Sequence, residues 1–201
     1  MSRYCIYVDG FNVYYALQEQ PYRKYKWLNY RKLAESVIGK NDHIAGIFYF
    51  TAIVRWKQDN AFRHKNYIKA LRWARVDTVA GRFLEKRVRC HLCGRFYKTH
   101  EEKRTDVNIA LKMLGDAIDD LYDKALVLSA DSDLIPAIQA VHKYAPEKKV
   151  GIMFPIGRNN NDLKREADFR IKMPQSLLRA CQFPEKIRIG NTVIQRPVSW
   201  R

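Results

Sequence analysis

A chain of 201 residues, 47% of them hydrophobic, can bury one large core or two small ones, and without a run of about eighteen apolar residues it offers no transmembrane span. Its start, MSRYCIYVDG, enters a strand pattern without the long apolar stretch and cleavage site of a signal peptide, so a cytoplasmic location is expected. Lys+Arg number 37 against 21 Asp+Glu, a net charge of +16, which suits a polyanionic partner better than a small substrate.

In chain order, Tyr4–Asp9 (YCIYVD) reads as a first, central strand ending in Asp-Gly, and NVYYALQE from Asn12 as a helix start. Pro21–Leu28 is basic and aromatic and reads as a loop; Tyr30–Ile38 has helical spacing; Ile44–Val54 is a second buried strand. Asn60–Arg75 is an amphipathic helix with Ala61, Ile68, Leu71 and Ala74 on one face, and Asp77–Leu84 a third strand. The charged segment Lys86–Lys103 contains Cys-His-Leu-Cys-Gly and reads as an inserted loop or hairpin. Asp106–Leu121 is a helix whose predicted stripe is Val107, Ala110, Leu111, Leu114, Ala117, Ile118 and Leu121, with Thr105 as its N-cap. Ala125–Ser129 is a fourth strand, Asp133–Tyr144 the helix after it, and Lys149–Phe154 a fifth strand. Asn160–Glu166 reads as a short helix, Phe169–Lys172 as a short strand and Pro174–Ala180 as a last helix. The tail Ile187–Arg201 adds an edge strand or drapes over the surface.

Strands alternating with helices predict an α/β fold with a mainly parallel sheet covered on both faces. Ligands then bind past the carboxyl ends of the strands, where strand order reverses. Asp9 ends the first strand, and Asp131 and Asp133 follow the end of the fourth, in ALVLSADSDLIPAI. If those strands are neighbours, the carboxylates meet at one edge, and a helix packed on the sheet can deliver Asp106 there. Each aspartate alone is also explained by a turn, a cap or a helix dipole. Gathered together in so basic a chain, they call for a hard divalent cation, Mg²⁺ or Mn²⁺, which prefers oxygen ligands and a substrate phosphate.

The blocks YVDGFNVYY, EKRTDVNIALKML and LVLSADSDLIPAI, in this order and spacing, resemble the NYN family of PIN-like nuclease domains from about Arg3 to Lys172. That resemblance implies a PIN-like Rossmannoid three-layer α/β/α sandwich over residues 1–175, with 86–103 inserted and 176–201 packed on the same domain. It implies a metal-dependent endoribonuclease, with Asp9, Asp106, Asp131 and Asp133 holding Mg²⁺ or Mn²⁺. Asn12 would orient a ligand or water beside them, and Ser129 would supply the small hydroxyl at the end of the fourth strand. Ala130 stands where relatives often carry glycine, and Arg104-Thr105 where they often carry Gly-Val.

Cysteine usage gives no disulfide framework: Cys5 and Cys181 read as packed residues, whereas Cys90 and Cys93 have the gap of a zinc knuckle. A structural Zn²⁺ site would draw on His100 first, with His91 or His64 behind it. The alternatives are a reduced surface pair and a redox pair. His43 and His142 show no partners, and there is neither a Ser-His-Asp set nor a phosphate-cradling glycine loop. The basic stretches Arg63–Arg75, Arg82–Lys103 and Lys164–Lys172 interleave with aromatics, as sites for single-stranded RNA do, although a basic surface also serves solubility. RNA, single-stranded or structured, is the expected partner; a homo-oligomer is compatible with the sequence. The competing readings are a catalytically weak PIN-like module that recruits RNA to a partner and an α/β site acting on a small molecule.

Overall fold

The protein is seen in a computed structural model that describes residues 1–53, 56 and 58–200; Val54 and Arg201, which the sequence assigns to the second strand and the tail, lie outside the described residues. β1 (Arg3–Asp9) runs into α1 (Gly10–Ala16), a 3₁₀ turn (Tyr22–Tyr25) and α2 (Tyr30–Val37). β2 (His43–Thr51), α3 (Gln58–Trp73) and β3 (Asp77–Ala80) follow. A hairpin of β4 (Arg82–Arg89) and β5 (Phe96–Lys103) leads to α4 (Thr105–Ile118), β6 (Lys124–Leu128), a 3₁₀ turn (Ser132–Leu134) and α5 (Ile135–Tyr144). The chain closes with β7 (Lys149–Met153), α6 (Asn161–Glu166), β8 (Phe169–Ile171), α7 (Gln175–Ala180), the short hairpin β9 (Lys186–Ile189) and β10 (Thr192–Gln195), and a 3₁₀ turn (Val198–Trp200).

Six strands form one parallel sheet in the order β3-β2-β1-β6-β7-β8. The order reverses at β1, so the crevice for a ligand opens past the ends of β1 and its neighbours. Alternation along β1 explains why both of its faces are buried. Tyr4, Ile6 and Val8 join one core with Val13 of α1, Leu33 of α2 and Leu71 of α3. Cys5 and Tyr7 join the other with Ile109 and Met113 of α4 and Ile138 of α5. The result is a three-layer α/β/α sandwich, and a strand buried on both sides reads as a continuous apolar run.

The structure departs from the sequence reading in five places. The third strand stops at Ala80, and Arg82–Leu84, which continue its apolar pattern, belong to the β4–β5 hairpin, paired over eight rungs from Arg82↔Lys103 to Arg89↔Phe96. Gly81 marks the break: a Cβ there would stand 2.8 Å from the Lys103 carbonyl oxygen. The predicted stripe of α4 is displaced rather than wholly wrong: Ala117 is buried and Ala110 and Leu114 pack against the core. Ile109, Met113 and Ala117 are buried, whereas Val107, Leu111, Ile118 and Leu121 are exposed. This helix carries apolar residues all round, and on its buried face the Tyr7 hydroxyl donates to Asp116 Oδ2 at 2.8 Å beside the packed Ile109, Met113 and Ala117. Asp116, a charged residue on the buried face, hides that face from a count of apolar positions.

Thr105 is the first residue of α4 rather than its cap. The cap is Arg104, in the left-handed region at φ 83°. The Pro21–Leu28 segment is no surface loop at its end, since Trp27 and Leu28 are fully buried. The tail covers them: Phe183 and Trp200 pack on Trp27, Ile187 and Ile194 join the same core, and β9 and β10 pair with each other rather than with the main sheet.

Gly10, directly after Asp9, leaves no room for a side chain. A Cβ there would stand 2.5 Å from the Phe50 carbonyl oxygen and 2.6 Å from the Tyr49 ring. Gly10→Ala therefore costs about 1–3 kcal/mol in urea unfolding; wild-type stability would contradict this account of the β1–α1 turn.

Candidate active site

Asp9 ends β1 opposite Phe50 of β2, and on its other side the Val8↔Leu128 pairing brings Ser129 alongside. Its carboxylate is 3% exposed. Oδ2 accepts from the Ser129 hydroxyl at 2.8 Å and Oδ1 from the Asn12 N–H at 3.0 Å. Asp9 is thus the N-cap of α1 as well as a site residue. The Ser129 oxygen in turn accepts the Asp131 N–H at 3.1 Å, and Asp131 Oδ1 accepts the Asp133 N–H at 3.0 Å, capping the 3₁₀ turn before α5. Asn12 Oδ1 accepts the Ala130 N–H at 3.1 Å. Its side-chain oxygen ties the exit of β1 to that of β6, the work of a positioning residue.

Asp106 arrives from the other side, in the first turn of α4. The Thr105 N–H donates to Glu102 at 3.2 Å and the Thr105 hydroxyl donates to the same oxygen, so the end of β5 fixes the start of the helix. One oxygen each from Asp9, Asp106 and Asp131 lies within 4.8 Å of the others. Asp133 is exposed and is not one of these three, though its charge reaches Asp106. Burial pushes the Asp9 carboxyl up, and Asp131 adds to the rise, against the Asn12 N–H and the Ser129 hydroxyl. The Asp106 carboxyl is pushed up to about 6, by burial first and then by the charges of Asp9, Asp131, Glu102 and Asp133.

Among the described residues, no Lys or Arg forms an ion pair with Asp9, Asp106 or Asp131, although the chain holds 37 such cations. A cluster of like charges with oxygen donors alone and no internal counterion fits a hard divalent cation. Glu102 is the acidic neighbour that the sequence reading missed; its place opposite Phe83 at the base of the hairpin depends on pairing that begins at Arg82.

The zinc set is not assembled. Cys90 and Cys93 sit at the turn of the β4–β5 hairpin, whereas His100 pairs with Glu85, four residues along β5 from Phe96 on the last rung, or about 13 Å at strand rise. The His100 ring stacks on Trp56 instead, 3.5 Å between centroids. His64 hydrogen-bonds Thr51 Oγ1 at 3.1 Å, and His142 pairs with Asp168 at 2.8 Å. The Cys90 thiol is pulled down by the backbone N–H groups of Cys93 and Leu92 and by the Cys93 thiol, as in a reduced pair folded into a tight turn.

Past the ends of β1 and β2 lies a cavity of about 360 Å³, lined by none of the three carboxylates, that the sequence did not reveal, because its walls come from segments far apart in the chain. Gly10 and Phe11, which follow Asp9, line it, and so do Tyr15, Trp56, Phe83 and His64.

The profile of the NYN domain family matches residues 3–174. This chain belongs to the NYN domain family. NYN domains are related to the PIN-like nucleases, and this NYN domain carries an acidic cluster of Asp9, Asp106 and Asp131. The NYN chain is 28% identical to the 6-hydroxy-3-succinoylpyridine 3-monooxygenase HspA of Pseudomonas putida (strain DSM 28022 / S16), over 97% of this chain and 74% of that protein. Its fold is similar to the crystal structure of a protein of unknown function, VPA0982, from Vibrio parahaemolyticus RIMD 2210633. The TM-score is 0.62 at 18% identity, over 86% of this chain and 93% of that one. Among the described residues, no helix is long and apolar enough to cross a membrane.

The raised Asp106 carboxyl gives a pH signature. The folded state holds this proton more tightly than the unfolded chain, so its contribution to stability is full below about pH 4 and is lost as pH rises through about 6. Mn²⁺ therefore raises Tm more at pH 7.5 than at pH 5. Asp106→Asn raises the metal-free Tm at pH 7.5 and removes most of the Mn²⁺ shift. A Mn²⁺ shift independent of pH and unchanged by the substitution, read by differential scanning fluorimetry, would contradict the assignment.

Proposed function

We propose that this NYN domain is a metal-dependent ribonuclease that hydrolyses phosphodiester bonds of RNA. The observation that carries the reading is the trio Asp9, Asp106 and Asp131, without an ion-paired Lys or Arg among the described residues, at the sheet edge of a chain with net charge +16. Residues 1–175 form the catalytic unit of this reading, with 176–201 packed on it.

A bound Mg²⁺ or Mn²⁺ would supply charge stabilisation at the scissile phosphate and a more acidic water. The chain's own residues do the rest. Asp9 and Asp131 are fixed in register by one hydroxyl, that of Ser129. Asn12 holds the loop that carries Asp131. Asp106 closes the third side, and Asp133, exposed and outside the trio, would help to hold metal or water beside it. Arg and Lys side chains of the β4–β5 hairpin hold the RNA backbone, so affinity falls steeply with salt.

The test is end-labelled single-stranded RNA incubated with Mg²⁺, Mn²⁺ or EDTA. Cleavage is expected with either metal and absent in EDTA. Asp9→Asn and Asp131→Asn are expected to lower the rate about a hundredfold or more while RNA binding persists. Tight, salt-sensitive binding without cleavage would establish instead a module that recruits RNA. Cleavage that survives both substitutions would remove the carboxylates from the reaction.

A second reading, oxygenation of a small heteroaromatic compound, is favoured by the likeness to the 6-hydroxy-3-succinoylpyridine monooxygenase along nearly the whole chain. Such chemistry needs dioxygen and a two-electron donor. Its mark would be hydroxylation of 6-hydroxy-3-succinoylpyridine when both are supplied.

A further inference from the structure

The cavity has the chemistry of a base-binding site. It opens past the ends of β1 and β2, and Gly10 and Phe11 in its wall follow Asp9 directly. β1 and β2 are adjacent strands, about 5 Å apart, so cavity and carboxylates share one edge of the sheet. Rings dominate the wall. Trp56 meets Phe83 edge to face at 4.8 Å, Phe11 meets Phe83 at 5.7 Å, and Phe11 stacks on Tyr15 at 6.4 Å. Although they line the cavity, Tyr15 is 60% exposed and Trp56 41% exposed; His100 stacks on one face of Trp56, so a planar ligand can reach Tyr15 and only the opposite side of Trp56.

Polar groups complete the site. His64, bonded to Thr51, presents a ring that burial keeps neutral near pH 7, with its pKa pushed down to about 4, able to hydrogen-bond a base edge without carrying charge. Arg63 and Lys26 supply cations at the wall, and Lys26 Nζ lies 4.7 Å from the centre of the Tyr14 ring. Stacking faces, a neutral hydrogen-bonding floor and adjacent cations are what unpaired RNA bases require. A base inside a duplex cannot enter such a cavity, because both its faces and its pairing edge are already occupied.

We propose that this cavity takes one unpaired nucleobase of an RNA strand whose neighbouring phosphate lies at Asp9, Asp106 and Asp131. This makes the substrate single-stranded at the position of cleavage, and it rests on the nuclease reading of the carboxylates. The base is held between aromatic rings, and Trp56 and Tyr15 are binding residues.

The experiment separates base binding from cleavage. Binding of a labelled seven-nucleotide RNA is measured by fluorescence anisotropy in EDTA, along with a series in which one abasic riboside is moved along the strand. One abasic position is expected to weaken binding about tenfold to a hundredfold, with little effect at the others. In Trp56→Ala, and in Tyr15→Ala as a second exposed position, the intact RNA binds correspondingly less tightly and the abasic penalty disappears, with circular dichroism unchanged. Equal tolerance of abasic sites at every position, or a penalty that persists in both variants, overturns the proposal. Displacement of RNA by 6-hydroxy-3-succinoylpyridine but not by adenosine or uridine monophosphate also overturns it and assigns the cavity to a free heteroaromatic acid. Metal-dependent cleavage with no abasic penalty would leave the nuclease reading intact and remove the base site. A Trp56-dependent penalty without cleavage under Mg²⁺ or Mn²⁺ would support the base site and remove the nuclease reading.

Discussion

The site depends on one buried hydrogen bond, from the Ser129 hydroxyl to Asp9 Oδ2. It joins the ends of two neighbouring parallel strands at the point where strand order reverses. The same hydroxyl oxygen accepts the Asp131 N–H, so two carboxylates that repel each other are held in place through one side chain. A buried carboxylate without a counterion is costly unless hydrogen bonds and a cation compensate it. The backbone N–H of Asn12 and the Ser129 hydroxyl supply the first, and the geometry of the trio invites the second. Capping and a place in the acidic cluster are therefore not rival uses of Asp9 and Asp131. The bonds that cap a helix and a 3₁₀ turn also hold the two carboxylates at the cluster.

Asp106 depends on a different set of contacts. It comes from a helix whose buried face carries the bond from the Tyr7 hydroxyl to Asp116, and whose start is fixed by Glu102 at the end of the hairpin. The hairpin thus joins the two halves of the site. Its base sets the helix that carries Asp106, while Phe83 and His100 on its strands build the aromatic wall around Trp56. A charged surface projects beyond them, with Arg82, Arg87 and Arg89 exposed on β4 and Lys86 and Lys98 paired with Glu101 and Glu85. Positive charge lies on the approach and negative charge at the centre. Under the nuclease reading, such a layout would draw in a polyanion and leave its neutralisation at the reacting phosphate to a small cation.

The central strands β1 and β6 were legible because each is buried on both faces and reads as an apolar run ending in a polar signal: VD at Asp9, LS at Ser129. The trio was legible because sheet topology brings strand ends together whatever the intervening sequence. The buried face of α4 was not, since a helix apolar on every side has no period to read and Asp116 looks like a solvent residue. The end of β3 was masked by Phe83 and Leu84, which continue its pattern past Gly81. The zinc ligands failed for a geometric reason: ten residues of separation in a loop are short, but in an antiparallel hairpin they set Cys90 and His100 several rungs apart. The aromatic cavity was invisible because Phe11, Trp56, Phe83 and His100 meet only after the sheet, α3 and the hairpin have formed.

The most direct test of the central claim is where a divalent cation binds. Crystals of the wild-type protein grown with Mn²⁺ would be measured for anomalous scattering. The account predicts a peak coordinated by Asp9, Asp106 and Asp131 that is lost in Asp9→Asn crystals. A well-ordered trio with no peak between its carboxylates, or a peak confined to Cys90 and Cys93, would contradict it.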